Sequence, residues 1–237
     1  MRAVALAAAL IAVLVAPRAV AAQVSHAAAS TVSEPQGSVR QGPRPALPRE
    51  PILRGYFMTD LASMTASDSF DAVLGSSRLV MRGGGGEVLH IWRGLFARAA
   101  FAAAREEGTR AIVVDNEVIP LDIPMTVEVS PLEIGGGWRF RPLAGGRLVP
   151  YVGAAVLRVG YRERSEFAVA DDDVDATFTG RAFFGGLEAV IGGWVIVGAE
   201  VQHRSVPDAL GEGGVSAAFR ETDLGGSAIR FLVGIRR

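Results

Sequence analysis

The stretch "RLVPYVGAAVLRVGYRER", Arg147–Arg164, is apolar enough to hide from water yet carries arginines that thicken toward its end. Pro150, Gly153 and Gly160 make a poor helix interior, since Pro lacks the amide hydrogen and Gly gives up the most backbone freedom. The pattern has period two instead. Val149, Tyr151, Ala155, Leu157, Val159 and Tyr161 take the odd positions, while Arg158, Arg162, Arg164 and Glu166 take even ones. That is a strand with one apolar face and one charged face, and the fold turns on which face meets water.

The same alternation recurs along the chain. Leu53, Gly55 and Phe57 alternate with Arg54, Tyr56, Met58 and then Asp60. Val195, Val197, Ala199 and Val201 alternate with Ile196, Gly198, Glu200 and Gln202, followed by Arg204. Ile229, Phe231, Val233 and Ile235 alternate with Arg230, Leu232, Gly234 and Arg236, and Leu187 and Ala189 flank Glu188. A soluble sheet would bury a face dense in large side chains and wet the other. Here the apolar face is rich in Ala, Gly and Val, and the opposite face carries Arg and Glu in balanced numbers. The pattern fits a barrel turned inside out, with a lipid-facing apolar band and a narrow interior crossed by ion pairs. The expected interior charges are Arg54, Glu87, Arg98, Glu133, Arg139, Arg158, Arg162, Glu188, Glu200, Arg204 and Arg230. Arg181 falls on the other parity. In the opening stretch this reading turns Ala155–Tyr161 to lipid on odd positions and Arg158 and Arg162 inward.

The connections support the same architecture. Short turns are expected at Ile91–Gly94, Pro142–Arg147 and Gly192–Trp194. Longer connections lie near Leu61–Arg82, Glu106–Pro124, Ala168–Ala176 and Ser205–Asp223. Seven connections alternating long and short give eight strands, the even number and loop asymmetry of bacterial outer-membrane barrels. All three tryptophans, Trp92, Trp138 and Trp194, sit in or beside the short turns, with Phe140 and Tyr151 nearby. Such clustering is expected of an aromatic girdle at one membrane interface.

Totals bound the rest. The chain has 237 residues, 49% hydrophobic, with 24 basic and 25 acidic side chains, and every basic residue is Arg. No global positive field is aimed at nucleic acid, which is not expected as a partner. The absence of Cys excludes disulfides, thiolate metal sites and a cysteine nucleophile. Met1-Arg2, the apolar run Ala3–Ala16 and the small-residue site Ala19-Val20-Ala21 read as a secretory signal peptide over residues 1–21. The run is too short for a membrane-spanning helix. Residues 22–51 carry Pro35, Pro43, Pro45, Pro48 and Pro51 with almost no large apolar side chain, and read as a disordered leader. Residues 52–237 are then the barrel.

With these residues in view, the chain resembles the small eight-stranded outer-membrane barrels, the group of the OmpA-type membrane domains and OmpX. The resemblance covers Ile52–Arg237 and rests on "GGWRFRP" followed by "LVPYVGAAVLRVGY", then "FFGGLEAVIGGWVIVGAEVQHRS". It implies an all-β, eight-stranded antiparallel up-and-down transmembrane barrel, with outer-membrane lipid and the barrel assembly machinery as partners and an extracellular ligand of unspecified kind at the loops. The group commonly ends in an aromatic residue read by that machinery, whereas this chain ends "FLVGIRR".

Motifs for chemistry are sparse, and neither cofactor nor metal is expected. "RGGGGEV", Arg82–Val88, lacks the Gly-Lys-Ser/Thr ending of a phosphate loop and reads as flexible strand entry. "DDDVD", Asp171–Asp175, lacks the spacing of a calcium loop and reads as a solvated acidic tip. His203 and Ser205 share a strand face, and some outer-membrane lipid A deacylases place a His-x-Ser pair similarly, with an acid to orient the His. Glu212 and Glu221 are the acids available in the following connection. An interfacial polar girdle is the simpler reading of the pair. Short helical patterns at Ser67–Gly75 and Glu212–Glu221 are expected to cap the barrel mouth. The leading expectation is a non-enzymatic outer-membrane barrel with a closed interior; the alternatives are a lipid A hydrolase using His203 and Ser205, and a soluble periplasmic lipocalin-like binder.

Overall fold

A computed structural model describes residues 52–114, 117–165, 174–211 and 214–236. The signal peptide and leader expected over residues 1–51 lie outside the described residues, as do Glu166, Asp171–Asp173, Glu212 and Arg237. Eight strands run β1 (Ile52–Met64), β2 (Arg78–Trp92), β3 (Leu95–Val114), β4 (Glu117–Arg139), β5 (Leu148–Ser165), β6 (Val174–Ile191), β7 (Val195–Ser205) and β8 (Gly226–Arg236). Each pairs antiparallel with its sequence neighbour, and β8 returns to β1 with Thr59 opposite Phe231. The architecture is therefore the closed up-and-down barrel read from the sequence, with no free sheet edge.

One end carries the three short turns. Arg93 and Gly94 close β2 to β3 with φ of 52° and 140°, and Gly192 and Gly193 close β6 to β7 with φ of 59° and 85°. Two positive-φ residues in a tight turn match the right-handed twist of the flanking strands. The β4–β5 turn uses Ala144, Gly145 and Gly146 in the same left-handed region. At the other end, α1 (Ser67–Leu74) follows β1 and α2 (Gly214–Phe219) precedes β8. Both fall where short helical patterns were expected.

The region Glu106–Pro124 differs from its sequence reading. It is not an irregular connection, because β3 and β4 stay paired to Val114 and Glu117, with one register shift between Thr109 and Ala111. Val113-Val114 and Val118-Ile119 are β-branched on both arms, which favours continuing the ladder over a loop. These strands, 20 and 23 residues long against 11 for β7 and β8, project beyond the rest of the barrel.

Parity holds in seven strands and fails in β5. Leu157 is 0% exposed, and Tyr151, Ala155, Val159 and Tyr161 are also buried, whereas Val156 is 61% exposed and Arg158 and Arg162 face out. Between Val152 and Leu157 both faces are apolar, so alternation alone does not choose between them. The choice comes from the interior, whose half nearer the long connections is itself apolar. Leu79, Met81, Val127, Val129, Leu157 and Phe70 from α1 share one buried cluster there. The glycine run likewise sits in mid-strand rather than at strand entry. A Cβ on inward-facing Gly85 would lie 2.6 Å from the Tyr56 hydroxyl, so the position leaves room for that ring.

Candidate functional site

The barrel interior toward the short turns holds two groups of buried ion pairs. Arg54 donates to Glu87 through Nε at 2.9 Å and also pairs with Glu188. The other oxygen of Glu188 accepts from Arg139 at 2.6 Å. Beyond this group lies a larger one centred on Arg230, which is 0% exposed. Arg230 donates to Asp60 at 2.7 and 2.9 Å, and to both oxygens of Glu133 at 2.9 and 2.7 Å. Arg204 pairs with Asp60 and reaches Glu133 at 3.2 Å. Arg98 bonds Glu200 at 2.6 Å and Glu133 at 3.2 Å, and its guanidinium lies 3.4 Å from the Phe184 ring centroid. Gln202 joins the two branches, accepting from Arg204 at 2.9 Å and donating to Glu200.

Among the described residues, five arginines and five carboxylates are buried in this way. A fork-shaped guanidinium satisfies two carboxylates at once, so charges removed from water keep partners on most of their hydrogen-bonding sites. Nine of the eleven interior charges expected from sequence are brought together. Arg158 and Arg162 are not: both point outward, and Arg162 pairs with Asp175 at 2.9 Å in an exposed bridge. Asp60 was missing from the expected set, although it shares the parity of Arg54, Tyr56 and Met58. Gln202 carries no charge to flag it, and only its place between Glu200 and Arg204 could have found it.

The outer surface has two borders. At the short turns, Trp92 is 60% and Trp194 61% exposed, Phe140 is 48% exposed, and Trp138 meets Trp92 edge to face at 6.1 Å. Tyr151 does not belong to this girdle. It faces inward, 2% exposed, with Phe96 and Phe184 about it at ring distances of 6.0 and 6.5 Å. The outward place that alternation gives it is reversed because the odd positions of β5 face inward. The second border is made of arginine. Arg82, Arg105, Arg158 and Arg181 all face out, and each stands ten residues along its strand from Trp92, Leu95, Leu148 and Ile191 respectively. Between the borders the outward positions hold residues such as Leu53, Phe57, Phe101, Ile134, Val156 and Phe231. No charged side chain faces out in that interval among the described residues.

At the mouth, Glu221 holds the first turn of α1. Its carboxylate accepts from the amides of Asp68 and Ser69 at 3.1 and 2.8 Å and from the Ser69 hydroxyl at 2.6 Å. An acceptor there satisfies amides that have no partner within the helix. Phe70, 4% exposed, thereby closes over the apolar half of the interior. A cavity of about 260 Å³ remains beside it, lined by Phe70, Leu74, Ile112, Leu121, Tyr161 and Glu163 among others.

His203 and Ser205 do face the same way, but Ser205 donates to Asp223 at 3.0 Å and Glu221 is committed to α1. The oxygens of Asp223 also accept from the amides of Val206 and Gly225, each at 2.7 Å. Asp175 is the described carboxylate of the acidic run and serves the bridge to Arg162.

No family model and no curated protein matches the chain. Solved structures similar to it include Ail, the attachment invasion locus protein of Yersinia pestis, in complex with the heparin analogue sucrose octasulfate. It has 12% identity and a TM-score of 0.45 over 79% of this chain and 97% of that one. The N-terminal β-barrel domain of Pseudomonas aeruginosa OprF has 11% identity and a TM-score of 0.40 over 78% and 97%. Neisserial surface protein A has 13% identity and a TM-score of 0.42 over 78% and 95%. All three are small outer-membrane barrels, the group named from the sequence. At these values the likeness concerns general form and says nothing of task or ligand.

Proposed function

We propose that this is a non-enzymatic outer-membrane barrel whose interior is held shut by ion pairs and whose role is exerted through its presence in the membrane and through its outer connections. One observation carries the reading: ten residues separate the short-turn end of the strand, where the tryptophans gather, from an outward arginine on four strands. At about 3.4 Å per residue and a strand tilt of about 45°, ten residues rise about 24 Å. That equals the apolar height of roughly 25 Å on outer-membrane barrels. A soluble lipocalin-like barrel would turn its large apolar side chains inward, whereas Phe57 here is 83% and Leu53 67% exposed. An eight-stranded barrel is only wide enough for side chains to fill, so no general pore is implied.

Export by the segment 1–21, insertion by the barrel assembly machinery and contact with outer-membrane lipid complete the proposal. Hydrolysis of lipid is not favoured, since the Ser205 hydroxyl is engaged by Asp223. Membrane fractionation combined with electrophoresis of boiled and unboiled samples tests the reading. A folded barrel in the membrane fraction that shifts on boiling is expected, and release with soluble protein on osmotic shock would overturn it. Unchanged lipid A acylation in Ser205→Ala is expected as well.

A further inference from the structure

We infer that the outward face of β5, β6 and β7 binds the phosphate of an outer-leaflet lipid, with Arg158 and Arg181 clamping the headgroup and His203 flanking it. The inference rests on the membrane reading above. Arg158 and Arg181 each stand ten residues from the short-turn end of their strands, and His203 stands eight from Val195. The three therefore lie at nearly one height. Register makes them neighbours: Arg181 is opposite Val156 on β5 and Ser205 on β7, so Arg158 and His203 are its diagonal partners. Diagonal neighbours on a sheet are about 7–8 Å apart, within reach of long side chains.

Two guanidiniums sharing that gap repel each other unless an anion lies between them. For two other outward arginines the protein supplies the anion itself: Arg105 pairs with Glu128 at 3.2 Å and Arg162 with Asp175. Arg158 and Arg181 have no carboxylate partner among the described residues. Asp223, which reaches Ser205 beside Arg181, spends its oxygens on that hydroxyl and on two amides. A phosphate suits this arginine pair because the planar fork matches it bidentately. Directly toward the band stand Val156 and Phe183, 61% and 59% exposed. The ligand must then join an anionic head to an apolar tail, which a free phosphate does not. The site belongs to the end with the longer connections, the external end in this architecture. The lipid offered there is phosphorylated lipid A.

The test is retention of lipid by the purified chain in detergent, read by native mass spectrometry. The probes are lipid A, its dephosphorylated form and phosphatidylglycerol. The expected result is about tenfold preference for lipid A over its dephosphorylated form, the scale of one charge-assisted contact. Arg158→Gln with Arg181→Gln should abolish the preference, and Arg82→Gln should keep it, because its diagonal neighbour Arg105 is already paired with Glu128. Equal binding of both forms of lipid A, or an unchanged preference in the double variant, would overturn the site. Phosphatidylglycerol bound as well as lipid A would overturn the assignment to lipid A. The boiling shift is run on each sample. A barrel that shifts but shows no preference removes the site alone, whereas one that does not shift removes the membrane reading as well.

Discussion

At the scale of single residues, position relative to the barrel wall decides what a charge does. Arg230 and Arg158 carry the same guanidinium, yet one is fully enclosed by Asp60 and Glu133 and the other faces out at the edge of the apolar band. Arg230→Met strips a partner from two buried carboxylates, which costs about 3–5 kcal/mol when a buried pair is broken. Arg158→Gln leaves no buried group unpaired and should change stability by no more than about 0.5 kcal/mol. Urea unfolding in lipid vesicles separates the two, and equal losses would contradict the burial described here. Most of the interior was legible at this scale, because charges spaced two apart in an apolar strand share one face, and charges of both signs on one face can partner each other away from water. Asp60 obeyed that rule too. Arg158, Arg162 and Tyr151 were misplaced because β5 is apolar on both faces over Val152–Leu157, and the deciding neighbours come from other strands.

At the scale of elements, strand and turn were legible wherever glycine and alternation agreed, as at Arg93-Gly94 and Gly192-Gly193. The β3–β4 extension was not, since polar residues such as Glu106, Glu107 and Asp122 suggested a loop while the ladder carried on through them. Depth along a strand yields its own expectation. Phe57→Arg puts a charge on β1 opposite Gly84, between Trp92 and Arg82 of β2, and should cost about 2–4 kcal/mol of folding into vesicles, against about 0–1 kcal/mol for Ser63→Arg, which lies opposite Arg78 beyond the band. A similar cost at both positions would contradict the assigned borders. The helix α1 depends on a residue far away in sequence, with Glu221 holding Asp68 and Ser69. Glu221→Ala is expected to speed amide exchange of Phe70–Leu74 while leaving the strands protected, measured by hydrogen–deuterium exchange.

At the scale of the whole molecule, an apolar outside around an interior that is half charged and half apolar departs from the plan of a soluble protein, and that departure was visible in the period-two alternation before any contact was known. The proposed closed interior implies low conductance: planar bilayers containing the protein should carry far less current than a porin, and porin-like currents would contradict that proposal. The balance of five arginines against five carboxylates has one more consequence. An electric field does work on each buried charge, on the order of 2.3 kcal/mol per elementary charge across 100 mV. With equal numbers of both signs locked in one wall, the pull on the arginines is cancelled by the push on the acids. A transmembrane voltage thus exerts no net force on the paired interior as a whole and couples only to its dipole, so any voltage dependence of rare openings should be weak.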